Sequence, residues 1–119
     1  MAVAGPIATN RANADAVAEF YRGKQVTLYV EVVGGGYGNN GRLLVEFMGQ
    51  HIPGEPKLVM VAKPGAGGRT AINYLYNVAP RDGTAIGFLQ KDIGAFSLLQ
   101  PDGVQYDTTK FRWVGSIAP

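Results

Sequence analysis

From Gln25 onward, apolar positions recur first at every second place and then at helical spacing. In Gln25–Val33, the residues Val26, Leu28, Val30 and Val32 alternate with Thr27, Tyr29 and Glu31, which predicts a β-branched and aromatic strand. The cluster Gly34–Gly35–Gly36–Tyr37–Gly38–Asn39–Asn40–Gly41 breaks it. Leu43, Leu44, Phe47, Met48 and Ile52 then form a helical stripe that stops at Pro53–Gly54. The unit repeats: Leu58–Lys63 as strand, Pro64–Gly65–Ala66–Gly67–Gly68 as turn, and Thr70–Val78 as helix with Ala71, Ile72, Leu75 and Val78 inward. A third strand, Thr84–Gln90, leads to a short helix around Ile93–Leu99 with Asp92 as candidate N-cap, and Phe111–Ile117 reads as a fourth strand.

Strands alternating with helices imply right-handed βαβ crossovers and a parallel sheet covered on both faces, so the expected class is α/β in three layers. Residues 1–22 are set apart as an N-terminal extension that includes the small-x-small run Ala12–Asn13–Ala14. No complete signal peptide is expected there, because the apolar start has no basic n-region. Residues 23–119 are expected to form a single lobe that stops after a strand without its covering helix. An edge or face is then left open, and self-association into a homo-oligomer is expected.

Composition narrows the functions. Among 119 residues, 46% are apolar and 17% charged, an ordinary globular balance. The net charge of +2 comes from basic residues scattered singly, with no run to follow a phosphate backbone, so no nucleic-acid partner is expected. Without cysteine, and with one histidine and dispersed carboxylates, no metal site, cofactor or cysteine nucleophile is expected. His51, at the end of the first helix, is given a structural role, and neither Ser97 nor Ser116 lies on a nucleophile elbow. Enzymatic activity is not expected. No apolar run reaches membrane-spanning length, so no membrane insertion is expected either.

The glycine turns carry the candidate chemistry. In a parallel sheet they lie at the carboxyl edge, where open α/β sheets bind ligands. Glycine lets consecutive N–H groups point one way, and the following helix N-terminus adds partial positive charge. Two such turns side by side suit an extended anion with two charged ends, such as a dicarboxylate, better than a single phosphate, and Asn39 and Arg69 stand beside them as further candidate ligand contacts. Arg69 adds to this, because a cation at a helix N-terminus opposes the dipole unless an anion lies between them.

Three other readings stay open. Glycine also simply makes tight strand-to-helix turns. Gly36–Tyr37–Gly38–Asn39–Asn40–Gly41 is literally G-x-G-x-x-G, a dinucleotide fingerprint. The second strand ends in Ala62–Lys63 rather than an acid, which disfavours NAD and leaves an NADP-binding Rossmann-like fragment as an alternative. The third reading is a self-associating interaction domain that has lost ligand binding. Glu31 stands out as a carboxylate inside a doubly covered strand that must find a partner or reach the open end.

Several segments, in order, resemble the substrate-binding proteins of tripartite tricarboxylate transporters, the Bug-type periplasmic solute receptors. They are Phe20–Tyr21–Arg22–Gly23–Lys24, Gly34–Gly35–Gly36–Tyr37, Arg42–Leu43–Leu44, His51–Ile52–Pro53–Gly54, Pro64–Gly65–Ala66–Gly67–Gly68, Asn73–Tyr74–Leu75–Tyr76–Asn77–Val78–Ala79–Pro80, Asp82–Gly83–Thr84 and Phe111–Arg112–Trp113–Val114–Gly115–Ser116. The resemblance implies the first lobe of a type II periplasmic binding protein, truncated before its second lobe. It further implies a periplasmic location, a small carboxylate ligand, and delivery to a membrane permease. The ligand-holding turns map to Gly35, Gly36, Tyr37, Gly65, Ala66, Gly67 and Gly68. Where many members carry an Asp after the first turn, this chain has Gly38–Asn39–Asn40, and Asn39 or Asn40 is expected to cap the helix.

Overall fold

A computed structural model describes residues 7–117, with helix α1 at Ile7–Tyr21 followed by strand β1 at Gln25–Val30. Helix α2 (Gly35–Phe47), strand β2 (Lys57–Ala62), helix α3 (Arg69–Asn77), strand β3 (Ala85–Phe88) and helix α4 (Ile93–Leu99) follow in turn. The strands form one parallel sheet in the order β2-β1-β3. β1 is central because its even positions are the most apolar: Val26, Leu28 and Val30 are fully buried. The Lys63 N–H closes the ladder by donating to the Val30 carbonyl at 2.8 Å.

Alternation along the strands sends side chains to two faces, and each face takes one helix. A Cβ placed on Gly41 would meet Val30, Met60 and Phe88, so α2 lies over the even-numbered face of β1. Tyr29, on the odd face, packs its ring 5.1 Å from Tyr74 of α3. The class is therefore α/β, a parallel sheet with helices on both faces.

Several elements differ from the sequence pattern. β1 ends at Val30, three residues early, because the chain turns into the glycine segment there and leaves Val32 and Val33 exposed. α2 begins at Gly35 with Gly34 as N-cap, so Asn39 and Asn40 do not cap but lie inside the helix. Gly41 gives α2 its close approach to the sheet and Gly38 its close approach to Val33 in the preceding turn, while the expected stripe residues Leu43 and Phe47 are exposed. On α3, Ala71 and Ile72 are buried as expected, yet Val78 is exposed and Tyr74 and Tyr76 pack instead. Asp92 holds the N-cap position of α4 without a side-chain bond.

Phe111–Ile117 forms no strand. The segment from Gly103 to Trp113 straps the outer side of α3, held by side chains rather than by a ladder. Asn73 donates to the Gly103 carbonyl and accepts from the Gln105 N–H, and Asn77 donates to the Gln105 carbonyl. Phe111 packs on Tyr76, Tyr106 and Trp113. Tyr106 is buried and donates to the Ile93 carbonyl at 2.6 Å, and burial pushes its phenol above the usual range.

The stretch read as an extension carries α1 from Ile7, while Met1–Pro6 lies outside the described residues. The end of α1 docks on the amino edge of the sheet. A Cβ on Gly54 would overlap the Ala18 carbonyl oxygen, and the Tyr21 hydroxyl donates to the Gly83 carbonyl at 3.0 Å.

Beside that contact, the N–H and Oγ1 of Thr84 both donate to Asp82 Oδ1, at 3.0 and 2.6 Å, which holds the Asp82 carboxyl below its usual range. A depressed carboxyl stabilises the fold above its unfolded pKa, about 3.9, and that contribution is lost as pH falls through the folded value. The Asp82→Asn protein should therefore melt with a flatter Tm profile than the parent from about pH 4 downward. Identical acid profiles would contradict this.

Candidate functional site

The strand order places the site. The crossover from β1 through α2 to β2 runs outward on one face, and the crossover from β2 through α3 returns past β1 to β3 on the other. The chain reverses direction between β1 and β3, and at the carboxyl ends of such a pair α/β sheets open a crevice. Three segments meet that edge: Glu31–Tyr37 after β1, Lys63–Gly68 after β2, and Leu89–Asp92 after β3.

In the first turn the Gly38 N–H donates to the Gly34 carbonyl at 3.3 Å. The N–H groups of Gly35, Gly36 and Tyr37, the opening turn of α2, have no acceptor among the described residues, as is usual for helix starts. All three residues are exposed, and the Tyr37 ring leans to 6.0 Å from Phe88 at the end of β3. Asn39 is exposed one turn further into α2, and no hydrogen bond ties its side chain to the turn.

The second turn is built differently. Gly65, Ala66, Gly67 and Gly68 all have positive φ, at 126, 51, 60 and 87°. Three of the four are glycine, for which this costs little, whereas Ala66 bears a cost of about 1–2 kcal/mol. Gly65 is extended at ψ 152°, whereas Gly67 and Gly68 are left-handed, and the N–H groups of Gly65, Ala66 and Gly67 have no acceptor among the described residues. The Gly68 amide is different. It is buried and donates to the Gly65 carbonyl at 3.2 Å, so Gly68 is not an available donor.

Arg69 is also committed elsewhere. Its backbone N–H bonds the Ala66 carbonyl, its Nε donates to the same oxygen at 3.0 Å, and its Nη1 reaches the carbonyls of Gln100 and Asp102 at 3.5 and 3.2 Å. The guanidinium lies 5.2 Å over the Phe96 ring. These carbonyl dipoles and the ring answer the clash between cation and helix dipole without an anion. Lys63, the residue weighed for a 2′-phosphate, sits 4.1 Å over the Tyr74 ring. Two glycines of the dinucleotide-like string serve packing: a Cβ on Gly38 would overlap the Val33 carbonyl oxygen, and Gly41 lies against the sheet.

Glu31 stands just beyond β1 rather than inside it, half-buried at the centre of the carboxyl edge. Its Oε2 accepts from Gln90 Nε2 at 2.6 Å and lies 3.3 Å from where a Cβ on Gly68 would be. Gln90, expected as the last residue of the third strand, lies two residues past β3, and the pairing of β3 with β1 brings it to Glu31. His51 is exposed in a 3-10 turn after α2, away from this edge.

No family model, curated protein or solved structure matches this chain. The site therefore rests on its own geometry. Among the described residues, no group of three His, Asp or Glu could hold a metal, and no helix is long and apolar enough to cross a membrane.

Proposed function

We propose that this chain is a solute-binding module of the tripartite tricarboxylate transporter receptor kind, a type II periplasmic binding lobe that takes small carboxylates at the carboxyl edge of its sheet. The observation that carries the reading is the pair of exposed amide triplets, Gly35–Gly36–Tyr37 and Gly65–Ala66–Gly67, flanking the reversal between β1 and β3. Aligned amides attract anions, and the start of the 13-residue α2 adds its dipole. With the Gly68 amide and the Arg69 side chain engaged elsewhere, the donors are backbone groups. Such a site reads charge and geometry more than side-chain identity. Periplasmic location and delivery to a permease follow from the motif resemblance.

Proline at Gly36 tests the reading cleanly. Proline is tolerated in the first turn of a helix, where its missing N–H breaks no intrahelical bond, and a side chain at Gly36 meets nothing within 4 Å. By calorimetry, succinate should bind the parent. It should bind the Gly36→Pro protein about tenfold more weakly, the loss of one hydrogen bond to a charged group. Equal affinity would remove α2 from the site, and no binding by the parent would remove the function.

A second reading has its own observation. Leu98 and Leu99 of α4 are 84% and 79% exposed, and Trp113 and Val114 are 64% and 89% exposed. Exposed apolar side chains of this size favour a partner surface, and we take a second copy of the chain as the occupant. Light scattering should give a mass above one chain that falls on dilution, and a constant single-chain mass would exclude it.

A further inference from the structure

We propose that Glu31 makes this edge selective for acids that also carry a protonated amine, amino acids rather than plain dicarboxylates. The inference rests on the carboxylate reading and adds a charge preference to the same crevice. Glu31 is the carboxylate closest to the reversal point. It follows the last residue of the central strand, lies against Gly68 of the second turn, and is held by Gln90 from beyond β3.

Its hydrogen-bond partner is a neutral amide, and no cation pairs with it among the described residues. Of the basic side chains near this edge, Arg69 is turned to three carbonyls and Lys63 to the Tyr74 ring, while Lys91, next to Gln90, is exposed and forms no ion pair with Glu31. The amide triplets thus attract negative charge while the carboxylate between their strands repels it and attracts positive charge. A molecule with carboxylate ends and one ammonium satisfies both. A dicarboxylate without the ammonium must sit beside an uncompensated like charge, which a half-buried setting screens less than water does.

Gln90 sharpens the assignment. By donating to Oε2 it fixes the carboxylate and leaves Oε1 as the acceptor for an ammonium.

L-Aspartate and succinate differ by this one ammonium, so they are the probes. In calorimetry on the full chain, L-aspartate should bind about 10- to 100-fold more tightly than succinate, the range of a hydrogen bond between charged groups. In Glu31→Gln, which keeps shape and hydrogen bonding, the preference should vanish, with L-aspartate weakened and succinate strengthened. This comparison is made on protein whose circular dichroism matches the parent. Succinate binding the parent as tightly as L-aspartate, or a preference unchanged in Glu31→Gln, overturns the role of Glu31 and leaves the carboxylate site standing. The parent's own selectivity decides even if the variant does not fold. Failure of both probes to bind the parent overturns the carboxylate reading, and the role of Glu31 with it.

Discussion

Alanine at Gly38 should destabilise the chain by about 1–3 kcal/mol, the usual cost of overpacking, although helix propensity alone favours alanine by about 0.5–1 kcal/mol. Gly38 lies inside α2 and is buried, and a methyl there would overlap the carbonyl oxygen of Val33, a backbone atom that cannot swing aside. The helix start would have to move away from the Val33 turn. Gly36, two residues earlier, has nothing within 4 Å of an added Cβ, so alanine there should be neutral or stabilising. Urea midpoints shifting in opposite directions for Gly38→Ala and Gly36→Ala would identify contact, and not helix propensity, as the reason for glycine at position 38. Parallel shifts would contradict it.

Leu28→Ala should cost more, about 2–5 kcal/mol, as removal of a fully buried leucine does. Leu28 is 1% exposed in the central strand, paired with Met60 on one side and Ile86 on the other. For a chain of this size each kcal/mol lowers Tm by about 4–8 °C, so thermal melts should show a fall of about 10 °C or more. A shift of only a few degrees would mean that the core is centred elsewhere.

The alternation in Val26, Leu28 and Val30 was enough to locate the central strand, and the two strand-glycine-helix units were enough to predict a parallel α/β sheet. What the pattern misread depends on contacts it cannot encode. Glycine in Gly34–Gly41 looks like loop, yet Gly38 and Gly41 lie inside α2, Gly38 against the Val33 backbone of the preceding turn and Gly41 close against the sheet side chains Met60 and Val30. The run Phe111–Ile117 has strand composition. It stays irregular because Asn73 and Asn77 of α3 take up the backbone groups of Gly103 and Gln105 just before it, and its aromatics Phe111 and Trp113 cluster towards α3 instead of the sheet.

The site was legible to the same depth. Gly35, Gly36, Tyr37, Gly65, Ala66 and Gly67 stand exposed at the carboxyl edge where their place after the strands put them. Asn39 lies inside the helix, and the Gly68 amide and the Arg69 side chain bond local carbonyls. Glu31 drew notice as a carboxylate in an apolar run, but its partner Gln90 is brought to it only by the β1–β3 pairing.

A titration of ¹⁵N-labelled protein with succinate, followed by amide chemical shifts, tests most directly whether the strand-end amides receive acids. Progressive shifts should concentrate at Gly35, Gly36 and Tyr37 together with Gly65, Ala66 and Gly67, with Gly68 and the residues of α1 little changed. Shifts absent from both triplets, or confined to surface residues remote from the β1–β3 edge, would contradict it.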